Sequence, residues 1–256
     1  MKKALIPILL LLAIAVFVVI PSQRDSKAIE NITAGLTDEQ TPIRPNSFLL
    51  DWSSNAYVPP GYLGKALAAR NSLIRVVAVP IDPSIKEPEK LSYAWRINGK
   101  KALADSGLGR AVLKFKATGW PGETFKIKCQ IYDSADKLLT DKTITITLAN
   151  PQILLYDPLG NYAFKNSITA KTDQKLRFLA VPFFFRSNDP ADIDYVWQFN
   201  GQKLDNLENK ELNRFILSIP PGEISEPFTR QLNISVTDRN DRLQQATANL
   251  QIEIQP

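Results

Sequence analysis

The block Tyr93-Ala94-Trp95-Arg96-Ile97-Asn98-Gly99 is the key to the architecture of this chain, because it returns as Tyr195-Val196-Trp197-Gln198-Phe199-Asn200-Gly201. The spacing is constant, since 197 − 95 and 201 − 99 both give 102. Residues 78–80 and 180–182 extend the match, because both read Ala-Val-Pro. A self-match at one spacing indicates a duplicated domain, and 256 residues have room for two copies of about 100 residues each.

The composition excludes several classes of protein. Hydrophobic residues make up 44% and charged residues 22%, which is typical of a globular chain. The net charge of +5 is not clustered, and Lys2 and Lys3 supply two of those charges, so we expect no nucleic-acid partner. The chain has no His, the commonest general base and transition-metal ligand. Its single Cys, Cys129, rules out an internal disulfide.

The N-terminus predicts a membrane segment. Lys2 and Lys3 precede an uncharged apolar stretch, residues 4–20, which as a helix would span roughly 25 Å. Either an uncleaved signal anchor or a cleaved signal peptide has this pattern, and the absence of a small-x-small site before Pro21 favours the anchor. By the positive-inside rule the N-terminus is cytoplasmic and the rest is extracytoplasmic. We expect residues 1–22 to anchor the chain and residues 23–45, which are polar, to form a flexible tether.

From Phe48 onward, apolar residues alternate with polar ones, as in half-buried strands. The Asn-Gly pairs at 98–99 and 200–201 predict two-residue type I′ hairpins. No helical period follows the N-terminal segment. The sequence therefore predicts an all-β protein with two tandem sandwiches of about seven strands each, over residues 46–149 and 151–256, after one transmembrane helix. The short linker at residues 149–151 predicts a semi-rigid pair.

The strand with Tyr-x-Trp and an Asn-Gly turn three residues after the Trp resembles the third strand of immunoglobulin-like and PKD-like domains, where the Trp fills the core. The resemblance covers both copies. Cys129 matches one of the two cysteines that flank this Trp in immunoglobulin domains, and Ile234 takes its place in the second copy. The W-D signature of PKD domains does not follow either Trp, which leaves the subfamily open. The whole plan is similar to bacterial cell-surface proteins, which implies a bacterial cell membrane location and no established activity.

Few side chains of this chain are candidates for catalysis or metal binding. Cys129 falls on the inward phase of its strand, so we expect a buried core thiol rather than a nucleophile. A Ca²⁺ site is the metal hypothesis, and solvated loops are the alternative. The candidate ligands are the loop carboxylates Asp189, Asp192, Asp194, Asp238 and Asp241. We expect no enzyme and no cofactor, because a pair of sandwiches without insertions offers no evident cleft.

Two apolar loops and one aromatic run are the candidate interface residues. They are Tyr57, Tyr62, Leu63, Tyr162, Phe164, Phe183, Phe184 and Phe185. The loops either cap the open end of each sandwich or form recognition surfaces for protein or sugar. Three consecutive aromatics on a strand must put at least one on the outer face. That side chain lies under a loop, in the contact between domains, or at a partner interface.

These patterns favour a non-catalytic, membrane-tethered surface protein whose immunoglobulin-like domains mediate protein interaction, adhesion or envelope assembly. The membrane, through residues 4–20, and another envelope or surface protein are the expected partners. A pair of carbohydrate-binding modules is one alternative and predicts solvent-facing aromatics in a row on one sheet. A stalk stiffened by Ca²⁺ is another. The sequence leaves the ligand and the oligomeric state open.

Overall fold

The computed structural model describes residues 47–160, 162–187, 189–204, 212–222 and 225–256. Within these ranges the chain forms two β-sandwiches joined by residues 148–151. Short 3-10 helices at Pro88–Lys90, Leu103–Asp105 and Pro190–Asp192 lie in connections between strands. None of the helices in these ranges is long and apolar enough to cross a membrane. The predicted anchor and tether lie outside the described residues.

The first sandwich contains eight strands in two sheets. The strands are β1 (Phe48–Ser54), β2 (Leu73–Pro80), β3 (Ser92–Ile97), β4 (Lys100–Lys101), β5 (Gly107–Leu108), β6 (Val112–Lys116), β7 (Thr124–Tyr132) and β8 (Leu138–Thr147). One sheet has the order β1-β2-β6. The other has the order β4-β3-β7-β8, with β5 also pairing with β3.

In the described part of the chain, the second sandwich contains nine strands on the same plan. The strands are β9 (Gln152–Asp157), β10 (Tyr162–Ala163), β11 (Ser167–Lys171), β12 (Lys175–Phe183), β13 (Ile193–Phe199), β14 (Gln202–Lys203), β15 (Arg214–Ser218), β16 (Phe228–Asp238) and β17 (Asp241–Gln255). Its sheets have the orders β10-β9-β12-β15 and β11-β17-β16-β13-β14. The strand count exceeds seven in each copy because short edge strands add to the sheets.

The strand order identifies the fold as an immunoglobulin-like or fibronectin III-like sandwich. In each copy the first two long strands share a sheet with a later short strand, β6 or β15, while the Trp strand and the last two strands form the other sheet. Side chains from the two inner faces form one core per copy, with Trp95 central to the first and Trp197 to the second. The prediction of an all-β, tandem sandwich fold is confirmed.

The repeated block recurs because it makes the same hydrogen bonds in both copies. The indole N–H of Trp95 donates to the backbone carbonyl of Arg110 at 2.8 Å, and that of Trp197 donates to Leu212 at 2.9 Å. Both Trp residues are only 1% exposed. Each Trp therefore fills a core and also holds the chain just before the short strand of the opposite sheet, β6 or β15.

The Asn-Gly pairs form the predicted turns. Asn98 and Gly99 have φ of 49° and 80°, and Asn200 and Gly201 have 50° and 78°, as a type I′ turn requires. The Asn98 side-chain oxygen also accepts the Lys126 backbone N–H at 2.8 Å. Asn200 accepts the equivalent bond, from Gln231, at 3.0 Å. Asparagine is thus repeated because it forms the turn and binds the neighbouring strand.

The two copies differ most between their first two long strands. In the second copy this connection contains β11, which runs parallel to β17. In the first copy the Ala149 N–H donates to the Ala68 carbonyl at 2.7 Å, at the position that corresponds to the β11–β17 pairing. Ala68 is buried like its counterpart Ala170. Residues 55–63, ahead of that point, instead extend to the second sandwich.

Candidate binding groove between the two sandwiches

Residues 55–63 of the first copy bind the end of strand β12 in the second. The Tyr57 N–H donates to the Phe185 carbonyl at 2.7 Å, and the Phe184 N–H donates to the Tyr57 carbonyl at 2.7 Å. Phe184 has a φ of 59°, a left-handed conformation that is rare for a bulky side chain. This turn ends β12 at Phe183 and presents the next peptide groups to Tyr57. The first copy therefore contributes backbone hydrogen bonds to the second.

The three consecutive phenylalanines are all buried, with exposed fractions of 6% for Phe183, 5% for Phe184 and 0% for Phe185. Phe183 lies on the outer face of its sheet but is covered there, and the left-handed Phe184 breaks the alternation of the strand after it. Tyr62 packs edge to face on Phe183 and Phe184, with ring centroids 5.5 and 6.4 Å away. The aromatic run thus belongs to the contact between the domains, one of the alternatives that the sequence left open.

Polar groups reinforce this contact on another side. Asp241 accepts a hydrogen bond from the Asn71 side-chain amide at 2.6 Å and pairs with the Arg70 guanidinium at 3.3 Å. The Gln244 side-chain amide donates to the Arg70 carbonyl. Arg70 also lies over the Trp120 ring, 4.6 Å from its centroid. The hairpin between β16 and β17 is therefore bound to the first sandwich.

A groove of about 740 Å³ separates residues 57–63 from the outer face of the sheet that contains β9, β12 and β15. Tyr57, Pro59, Pro60 and Tyr62 form one wall, and Leu63, at the rim, is fully exposed. The opposite wall includes Tyr156, Asp157, Pro158, Pro182, Asn213 and Arg214. The strand ladder between β12 and β15 ends at Leu179 and Arg214, and Pro182 has no N–H to offer beyond it. Just past the ladder the Ala180 N–H still donates to the Asn213 carbonyl, at 2.8 Å.

Two tyrosines lie over glycines: Tyr62 lines this groove, and Tyr162 lies beside the groove residue Asp157. A β-carbon on Gly64 would collide with the Tyr62 ring, and one on Gly160 would collide with the Tyr162 ring. Tyr62 remains 40% exposed and Tyr162 53% exposed. Each glycine therefore supports a tyrosine ring that stays open to solvent.

The two apolar loops of the sequence meet near one carboxylate. Asp157 and Pro158 line the groove that Tyr62 and Leu63 border, and Asp157 pairs with Tyr162 in the β9–β10 ladder. Phe164 is less exposed than Tyr162, since it is half-buried and packs on Phe178 with ring centroids 5.2 Å apart. The loops thus lie side by side, although the sequence placed them on separate sandwiches.

The carboxylates proposed for Ca²⁺ have other partners. Asp194 pairs with Arg239 at 2.6 Å, and Asp192 accepts the Ser187 hydroxyl at 2.7 Å. Asp189 accepts the Ala191 N–H at 2.8 Å, and Asp238 accepts the Asn240 N–H at 2.7 Å. Asp241 joins the sandwiches. In the part of the chain that the structure describes, no three acidic or cysteine side chains are grouped so that they could hold a metal ion.

Cys129 is fully buried opposite Trp95, and burial raises the pKa of its thiol. Burial likewise raises the pKa of Tyr93 and of Tyr195 to about 12. For Tyr57, burial and the nearby Asp189 raise the pKa of the phenol. None of these four groups is prepared to ionise near neutral pH.

We expect Cys129 to resist a disulfide reagent at pH 8 in the folded protein and to react fully in denaturant. The raised pKa keeps the folded thiol neutral, so its contribution to stability is present below the unfolded pKa of about 8.5 and is lost as the pH rises above it. Absorbance of the released thiolate measures the reaction. Stoichiometric reaction without denaturant would contradict a buried thiol.

The structure shows a further surface that the sequence patterns did not single out. On the outer face of the β9–β12–β15 sheet, Tyr156 opposes Leu179 and Ile216 opposes Arg177. The equivalent pairs in the first copy place Asp51 opposite Val77 and Lys114 opposite Arg75. Ile216 is 47% exposed. Leu154 on the same face is 38% exposed, but its counterpart Leu49 is 54% exposed, so the exchange is confined to Tyr156 and Ile216. Comparing the two copies by strand phase would have revealed this exchange of charged for apolar residues.

No protein-family model and no curated protein matches the chain. Solved structures that are similar include the fibronectin(III)-like modules of Clostridium thermocellum CbhA, at 10% identity over 81% of this chain and 94% of that one, with a TM-score of 0.28. The FN1–FN3 domains of chicken CNTN1 match at 10% identity over 73% and 63%, with a TM-score of 0.29. The chicken interferon gamma receptor alpha chain matches at 10% over 73% and 95%, with a TM-score of 0.31. These likenesses identify no activity.

Proposed function

We propose that this chain is a non-catalytic, membrane-tethered surface protein of a bacterial envelope. Its paired sandwiches bind another envelope or surface protein, in adhesion or envelope assembly. The apolar segment at residues 4–20, preceded by Lys2 and Lys3, supports the tether and an extracytoplasmic position for the sandwiches.

The apolar face of the second copy carries the proposal of a protein partner. The duplication supplies an internal reference, because equivalent positions have the same place in the fold. The first copy keeps Asp51 and Lys114 at exposed positions, and Asp51 pairs with Lys65 at 3.0 Å. The second copy has Tyr156 and Ile216 there. Apolar side chains at outer-face positions where the other copy has charged ones favour a protein interface at Tyr156 and Ile216.

We expect Ile216→Lys, which restores the residue type of the first copy, to reduce partner capture at least tenfold. A charge in the middle of a desolvated interface costs on the order of 2 kcal/mol or more, which exceeds a factor of ten. The measurement is crosslinking of the tagged full-length chain in its own membranes, followed by quantitative mass spectrometry.

The matched control is Asn249→Lys, because Asn249 is exposed on the other sheet of the same sandwich. The proposal predicts that one protein is recovered with the wild type and with Asn249→Lys but lost with Ile216→Lys. Equal recovery with both variants would show that this face binds no partner.

A further inference from the structure

We propose that the groove between residues 57–63 and the β9–β12–β15 sheet binds a neutral oligosaccharide. This inference goes beyond the proposed function, since it assigns a second ligand to a groove that borders the apolar face at Tyr156 and Leu179. The sugar rings lie on Tyr62 and Tyr162, and their hydroxyl groups bond to Asp157 and Asn213.

The two tyrosines supply platforms of the kind that a sugar ring requires. A pyranose has an apolar C–H face and a rim of hydroxyls, so it binds an aromatic face that is open to solvent and flanked by polar groups. Gly64 and Gly160 let the rings of Tyr62 and Tyr162 lie against the backbone, and both rings remain substantially exposed. Because there are two platforms, the ligand contains at least two sugar units.

The orientation of Tyr62 is set by its neighbours. Phe183 and Phe184 pack against it at interplanar angles of 76° and 74°. Both phenylalanines are buried in the contact between the sandwiches. The platform is therefore held by rigid parts of the structure, which limits the entropy lost on binding.

The polar groups of the groove suit hydroxyl groups. One carboxylate oxygen of Asp157 accepts the Leu159 N–H at 2.9 Å, which holds this side chain at the groove. Asn213, on the same wall as Asp157, offers an amide donor and acceptor. One acid and one base, Asp157 and Arg214, line the groove, so its charges balance and a neutral ligand is favoured.

A proline-rich peptide is the other ligand that aromatic grooves accept. Such a peptide offers few N–H donors, because proline has none. The carboxylate of Asp157, which only accepts hydrogen bonds, would then face a ligand with little to donate. Sugar hydroxyls both donate and accept, so the groove favours the sugar.

The test is isothermal titration of the full-length chain, in detergent, with hexasaccharides of glucose, xylose and mannose and with a polyproline peptide. We expect one hexasaccharide to bind and Tyr162→Ala to weaken it about tenfold. Gly64→Ala should weaken binding as well, because its β-carbon displaces the Tyr62 ring without removing a ligand contact. Thermal unfolding of each variant checks that the fold is kept.

Ile216→Lys is the control, because it changes the apolar face and leaves both platforms in place. Sugar binding kept in Ile216→Lys and lost in Tyr162→Ala supports the inference, whatever the outcome of protein capture. Binding of polyproline alone, no binding of any hexasaccharide at about 5 mM, or equal binding by Tyr162→Ala would overturn it. Those outcomes leave protein capture through Ile216 untouched, so the two proposals fail separately.

Discussion

Trp197→Ala is expected to lower the free energy of unfolding of the second sandwich by about 3–5 kcal/mol. The Trp197 side chain is 1% exposed and packs on Phe215 with ring centroids 5.5 Å apart. Its removal leaves a large cavity between two sheets that meet around it. Since whole domains are stable by only about 5–15 kcal/mol, this loss is a large fraction of the total.

The hydrogen bond of the indole adds to the packing loss. The N–H donates to the Leu212 carbonyl at 2.9 Å, just before strand β15. Trp197→Phe keeps most of the apolar volume but not this donor, so we expect it to cost about 1–3 kcal/mol from the unpaired carbonyl, besides a smaller cavity term. The difference between the two variants separates packing from hydrogen bonding.

Chemical denaturation followed by circular dichroism measures both losses. The matched control is Trp120→Ala, because Trp120 is 53% exposed and contacts Arg70 through its ring face. We expect that control to cost only about 0.5–1 kcal/mol, the value of an exposed cation–π contact. A cost for Trp197→Ala no greater than for Trp120→Ala would contradict the central role of the repeated Trp.

Asp241→Asn is expected to uncouple the two sandwiches. Asp241 is the group that both Arg70 and Asn71 contact from the first copy, and its side chain is 9% exposed. Breaking a buried ion pair by removing one charge costs about 3–5 kcal/mol, and the 20% exposure of Arg70 places this case near the lower end. The backbone bonds of Tyr57 remain, but the hairpin between β16 and β17 loses its charged partner.

Differential scanning calorimetry shows whether the two sandwiches unfold in one transition or in two. We expect the wild type to unfold in one transition and Asp241→Asn in two, because the interface free energy that joins the copies is reduced. Asp136→Asn is the control, since 241 − 136 equals 238 − 133 and Asp136 occupies the same turn in the first copy, where it is exposed. One unchanged transition for both variants would show that Asp241 does not couple the sandwiches.

Much of the fold follows from local patterns. The period of two in residues such as Ile127, Cys129 and Ile131 defines which side chains enter the core, and all three are fully buried. The Asn-Gly pairs specify their turns, because few residues adopt the positive φ that type I′ requires. These features depend on short stretches of chain, so they can be read without tertiary information.

The candidate site could be predicted only in part. Tyr62, Leu63 and Tyr162 are exposed as a recognition surface requires, whereas Phe183, Phe184 and Phe185 are covered. The coverage depends on Tyr57, which lies far from them in sequence and binds them through the backbone. Backbone hydrogen bonds between distant segments do not depend on residue type, so the spacing of residues in the sequence could not predict this contact.

The duplication, the two all-β sandwiches and the central Trp in each follow from the sequence, because they depend on strand periodicity and on a repeat that makes the same contacts in both copies. Three features are visible only in the folded molecule: residues 55–63 leave their own sandwich for the other, Phe184 turns left-handed to meet them, and the two apolar loops converge on Asp157. Side-chain patterns record which face of a strand is buried, whereas the contact between domains depends on how the surfaces of two folded domains complement each other. The Tyr-x-Trp block builds both cores, and the copy-specific residues around the groove distinguish one copy from the other.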